Sequence, residues 1–94
     1  MRLLVETPRF RRSYRRFVRH NASLQKRIEE SLRQMEIDVF APQMGAHKLS
    51  GELLGLFACS CGYDCRIVFT IEVGESDAEE VILLLDIGSH DDVY

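Results

Sequence analysis

Two imidazoles, a carboxylate, a guanidinium and a phenol stand out in this 94-residue chain by where they lie. His47 is in "HKLSG", Asp64 and Arg66 are in "GYDCRIVF", and His90 and Tyr94 close the final stretch "IGSHDDVY". All five fall at loop or strand-end positions that an antiparallel arrangement could bring to one edge. Such a set suits phosphodiester chemistry. One group takes a proton from an attacking oxygen, another gives a proton to the leaving oxygen, and an arginine balances the phosphate charge. Histidine serves either transfer because its ordinary pKa lies nearest working pH. Asp91 and Asp92 beside His90 are expected to favour the protonated imidazole, as a proton donor requires.

A second charge feature lies near the N-terminus. Arg9, Arg11, Arg12, Arg15, Arg16 and Arg19 share one arc of a helix, and no Asp or Glu lies between Glu6 and Glu29. Arginines so crowded repel one another unless an anion neutralises them. RNA phosphates would do so, through sequence-independent, salt-sensitive contacts. The charge is divided unevenly along the chain. The first 50 residues carry 11 Lys and Arg against 5 Asp and Glu, and the last 44 carry 1 against 10. A net charge of −3 therefore hides a basic half that could meet nucleic acid.

Three cysteines, Cys59, Cys61 and Cys65, form C-x-C-x3-C. Even with His47 or His90 as a fourth ligand, this spacing fits no common zinc pattern, so no metal is expected. An odd count in a chain of intracellular character argues against a disulfide framework. The three read as small buried thiols.

The elements that must position these groups follow from periodicity. "RLLVE" at 2–6 reads as a strand. Thr7 then Pro8 is a helix entry, with Thr as N-cap and Pro at the first helical position. Phe10, Tyr14, Phe17 and Val18 form its apolar stripe, opposite the arginines. His20-Asn21 breaks the helix. Leu24, Ile28, Leu32 and Met35 give a second helix its buried stripe, out to about Asp38, and the pair should form an antiparallel hairpin. Residues 40–51 read as a loop. Apolar runs at 53–60, 65–73 and 80–87 read as strands, with turns at 61–64 and 74–79. The order β-α-α-β-β-β is an α+β domain, a helical hairpin packed on an antiparallel sheet. One sheet face is left partly open for a site.

At 94 residues the chain makes one domain, 1–94, with a thin core. No apolar stretch approaches the roughly 20 residues that span a bilayer. The N-terminus lacks the pattern of a signal peptide, so a cytoplasmic protein is expected.

The length, the element order and the motifs "HKLSG", "CRIVFTIE" and "IGSHDDVY" together resemble the RelE/ParE toxin superfamily, on its RelE mRNA-interferase side and its YafQ-like branch. The resemblance implies the toxin of a type II toxin–antitoxin system, a ribosome-dependent endoribonuclease working without metal or other cofactor. It would cut mRNA through attack of a ribose 2′-OH on the adjacent phosphate. Carried over by position, His47 and Asp64 resemble the pair linked to base function and phosphate positioning. His90 resembles the candidate general acid, Tyr94 an aromatic that stacks on or orients a base, and Arg66 the arginine that steadies charge at the phosphate. The helix arginines and Lys48 would contact RNA. The partners implied are a cognate antitoxin, mRNA and the ribosome, with no membrane. Two other classes stay open: a ParE-like inhibitor of DNA gyrase, and a catalytically inactive interaction protein of the same fold. ParE members typically lack the His/Arg site.

Overall fold

The computed structural model describes residues 2–73 and 79–94. A short strand, β1 (Leu3–Glu6), leads into α1 (Pro8–Phe17) and α2 (Ala22–Asp38). After them come β2 (His47–Lys48), β3 (Phe57–Gly62), β4 (Cys65–Val73), β5 (Glu80–Gly88) and a final helical turn, α3 (His90–Val93). The expected helix entries are both present. The Thr7 hydroxyl accepts from the Phe10 amide with Pro8 at the first helical position, and the Asn21 side chain accepts from the Leu24 amide. Each cap satisfies a helix-end donor that has no partner inside the helix. His20, at φ +58°, turns the chain between the two helices.

The five strands form one sheet in the order β1-β5-β4-β3-β2. It is mixed, where the sequence suggested an antiparallel one: β1 runs parallel to β5, with Leu3 opposite Val81 and Glu6 opposite Leu84. The chain leaves β1, crosses one face as two helices, and meanders back, so that β5 arrives beside β1 in the same direction. Parallel neighbours need such a long crossover. The Thr7 amide and hydroxyl both donate to the Leu84 carbonyl and lock that end of the pair.

The helices cover one face. Phe10, Ile28, Met35 and Val39 pack there against Ile67, Phe69, Ile82, Leu84 and Ile87, all buried. Burial of each large apolar side chain contributes about 1.5–3 kcal/mol. Tyr14, Phe17, Val18, Leu24 and Leu32, on the expected stripes, are partly buried around that centre.

Two stretches differ from expectation. The run expected as a strand at 53–60 starts its strand only at Phe57, because Gly51 and Gly55 take φ +68° and +94°, and the chain turns there. The expected loop at 40–51 contains the two-residue strand β2, with His47 opposite Ala58. Apart from Glu79, the turn expected at 74–79 lies outside the described residues.

The cysteine reading is corrected in part. Cys61 and Cys65 are joined by a disulfide across the β3–β4 turn, with Cα atoms 5.0 Å apart. A register shift between Ser60 and Gly62 brings the two strand ends together, and Gly62 takes φ +131° to allow it. An odd count speaks against a framework of bridges but not against one bridge inside a tight turn. Cys59 is the free, buried thiol that was expected, and burial pushes its pKa up to about 12.

A bulge decides what the open face carries. Val68 pairs with Asp86 but Phe69 pairs with Leu84, so β5 holds one extra residue there. The extra residue reverses the alternation of β5. Leu84 and Ile87 both reach the core, while Asp86 and Gly88 join Val68 and Arg66 on the opposite side of the sheet.

Candidate active site

The open face is built in rows by strand pairing. His47, Ala58, Val68 and Asp86 make one row, and Ser60, Arg66 and Gly88 make the next. Side chains in paired rows of a sheet stand on the same side and close together. Arg66 is half-buried, and its Nη1 donates to the carbonyls of Gly62 at 3.3 Å and Cys65 at 2.8 Å.

The tail then folds back over this face. Ser89 caps α3: its hydroxyl accepts from the Asp92 amide, and the Asp92 carboxylate accepts from the Ser89 amide. Such a reciprocal cap fixes one helical turn where a chain end would otherwise fray. Gly88 lies directly beneath it. A Cβ there would stand 2.9 Å from Asp92 Cβ, so the seat admits only glycine without movement.

Asp64 supplies the second anchor. It sits at the turn with φ +50°, and its Oδ1 accepts from the main-chain N–H of His90 at 3.0 Å. Its carboxylate is thereby engaged with the backbone of α3. The His90 ring packs edge-on against Tyr94 with centroids 4.6 Å apart. Burial pushes the Tyr94 hydroxyl's pKa up, and the Arg66 guanidinium acts against that shift. The expected pair of aspartates beside His90 divides. Asp91 stands 3.7 Å from the imidazole Nδ1, fully in solvent, while Asp92 serves the cap. An exposed ion pair of this kind contributes little.

His47 enters from the opposite side, on the edge strand β2. Its Nδ1 lies 3.1 Å from the Gly45 carbonyl, a contact that calls for a proton on Nδ1. In the neutral ring that leaves Nε2 with its lone pair free to accept. His47, Lys48, Ser50, Leu53, His90 and Tyr94 line one cleft of about 390 Å³. The two histidines and the tyrosine thus share a cavity. Asp64 and Arg66 stand behind it, one holding α3 and one fixed in the sheet. Sequence reasoning passed over Ser89 and Gly88, which set the height and angle of α3. The Ser-x-x-Asp spacing of "SHDD" was the available signal for the cap.

The arginine arc faces a different cavity. Arg9, Arg12 and Arg16 line a cleft of about 410 Å³ together with Ser13, Asp86 and Asp92. Arg9 pairs with Asp86 at 3.3 Å, so the expectation of arginines without acidic partners fails for it. The partner comes from 77 positions along the chain, beyond the reach of a local reading. Arg11 donates to the Glu6 carbonyl at 3.5 Å, and Arg15 and Arg19 are exposed. Of the basic residues expected to touch RNA, Lys48 alone lines the histidine cleft.

No protein-family model matches the sequence, and no curated protein matches it. Solved structures do match the fold. The YafQ structure from E. coli strain BL21(DE3) has a TM-score of 0.77 at 7% identity, over 100% of this chain and 99% of that one. A YoeB/ParE toxin from Agrobacterium tumefaciens gives 0.73 at 20% identity, over 94% and 98%. A heterotetrameric YoeB-YefM toxin-antitoxin complex from Staphylococcus aureus gives 0.69 at 20%, over 96% and 99%. At such identities the likeness is one of fold. No helix among the described residues is long and apolar enough to cross a membrane.

Proposed function

We propose that this chain, which has the fold of the RelE/ParE-like toxins, is the toxin of a type II toxin–antitoxin system and cleaves mRNA on the ribosome. The observation that carries the reading is the one cleft that His47, His90 and Tyr94 line together. His47 Nε2 accepts the proton of a ribose 2′-OH as the oxygen attacks the adjacent phosphorus. The O2′–P bond forms and the P–O5′ bond breaks, leaving a 2′,3′-cyclic phosphate. His90 gives its proton to the departing O5′. Arg66 stabilises the charge that gathers on the phosphoryl oxygens, and Tyr94, protonated at neutral pH, donates a hydrogen bond or offers its ring to a base. Asp64 acts on His90 from behind, as a positioning residue. These groups supply both proton transfers and the counter-charge, so the step as written uses no metal.

The antitoxin is proposed by analogy with the YoeB-YefM toxin-antitoxin complex, a chain of which this fold matches. It would cover the cleft or lift α3 off Gly88. The test is expression without a partner, followed by mapping of mRNA ends in programmed ribosomes. The expected result is translational arrest with 5′-OH ends at cleaved codons, relieved by His90→Ala. A harmless wild-type chain, or a His90→Ala variant that stays fully toxic, ends the cleavage reading. Inhibition of gyrase in a supercoiling assay would move the protein to the ParE-like class instead.

A further inference from the structure

Tyr63 is the most exposed aromatic side chain among the described residues, at 96% of its full area, at the tip of the β3–β4 turn. A single exposed ring is ordinary. This one is held in an unusual frame. Its predecessor Gly62 offers its carbonyl to Arg66 Nη1, and its successor Asp64 accepts from the His90 amide. Tyr63 therefore lies between the two residues that anchor Arg66 and the histidine turn. The Cys61–Cys65 disulfide closes the turn around it. Gly62 and Asp64, both at positive φ, complete a backbone with little freedom. The turn is thus tied at its base and at both flanks of the tip, with the ring directed away from the protein. Aromatic rings presented in this manner, on a rigid support beside a basic group, bind unpaired bases by stacking and tolerate any base identity.

We propose that Tyr63 is a stacking platform for an unpaired nucleobase next to the cleaved phosphate. The assignment rests on the RNA-cleavage reading above and deepens it by naming a binding residue outside the cleft. The base belongs either to the message or to the ribosome's own RNA, and the chemistry of recognition is the same for both.

Cleavage kinetics on programmed ribosomes test the platform. Tyr63→Ala is expected to raise KM roughly fivefold to a hundredfold, the range for one lost stack, with a smaller fall in kcat. Tyr63→Phe keeps the ring and should restore KM, and Tyr63→Leu should not. The sequence contains no tryptophan, so Tyr63→Trp adds a single reporter. Its emission should be quenched on ribosomes carrying a message that is 2′-O-methylated at the cut site. Quenching only with a message present places the base in mRNA, and equal quenching on vacant ribosomes places it in ribosomal RNA. Unchanged KM in Tyr63→Ala, or no quenching while the protein cosediments with ribosomes, overturns the platform. Should the wild-type chain cut no message at all, it is the parent reading that fails.

Discussion

The main-chain N–H of His90 donates to Asp64 Oδ1 at 3.0 Å, joining the tail to a turn 26 residues earlier. That bond, with the Ser89 cap and the Gly88 seat, decides where the His90 imidazole points. Asp64 thus bears on the candidate chemistry without lining the histidine cleft. Its role is separable by substitution. Asp64→Asn retains an oxygen acceptor and tolerates the positive φ, so cleavage should fall less than about threefold. Asp64→Ala removes the acceptor. A hydrogen bond to a charged group contributes about 1.5–3 kcal/mol, so a tenfold or larger fall in kcat is expected, with faster amide exchange at His90. Equal losses in both variants would show that the carboxylate charge itself takes part.

Gly88→Ala tests the seat of α3. The new methyl meets Asp92 Cβ at 2.9 Å and can be relieved only by lifting the turn or breaking the cap. Overpacking of this kind costs about 1–3 kcal/mol. Because α3 is the last element and little else depends on it, activity should fall at least tenfold while the melting temperature falls by only a few degrees. A variant with full activity would show that α3 need not rest on β5.

Thiol counting checks the cysteine assignment. Native protein should show no thiol reactive at pH 8, because Cys59 is buried with its pKa pushed up to about 12 and the other two are joined. Denaturation without reductant should expose one thiol, and denaturation with reductant three. Three thiols without reductant would dismiss the bridge.

The Tyr94 hydroxyl has a raised pKa, first from burial, with Arg66 opposing. A group whose folded pKa lies above its unfolded value contributes stability below the unfolded pKa, and loses it as pH rises through the folded one. Denaturant unfolding should therefore show stability declining above about pH 10, the ordinary tyrosine value, and less steeply in Tyr94→Phe. Arg66→Gln should push the Tyr94 ultraviolet titration higher still. A Tyr94 titration at or below the ordinary tyrosine value would remove the argument.

The Arg9–Asp86 pair sets an expectation for the arginine cleft. Asp86 is largely buried and competes with any phosphate for Arg9, Arg12 and Arg16. Asp86→Asn should strengthen RNA binding. Replacing Arg12 and Arg16 with Ala should weaken it and flatten the salt dependence by roughly 0.7 in log–log slope per arginine that meets a phosphate. Slopes unchanged in the double variant would show that this face does not touch nucleic acid.

Much of the fold is legible in local sequence, and the reason is physical. Helix caps at Thr7 and Asn21, apolar stripes through Phe10 and Ile28, and the apolar runs of β4 and β5 depend on neighbours a few residues away. The three residues that line the histidine cleft were legible as types too, since His47, His90 and Tyr94 stand outside the core pattern. What only the tertiary structure decided are relations across tens of residues. The parallel pairing of β1 with β5, the bulge that turns Asp86 outward, and the meeting of Arg9 with Asp86 follow from how the sheet closes on the helices. The same holds for the disulfide and for the use of Asp64. Composition can supply a cysteine pair or a carboxylate, but strand register decides which atoms come within bonding distance.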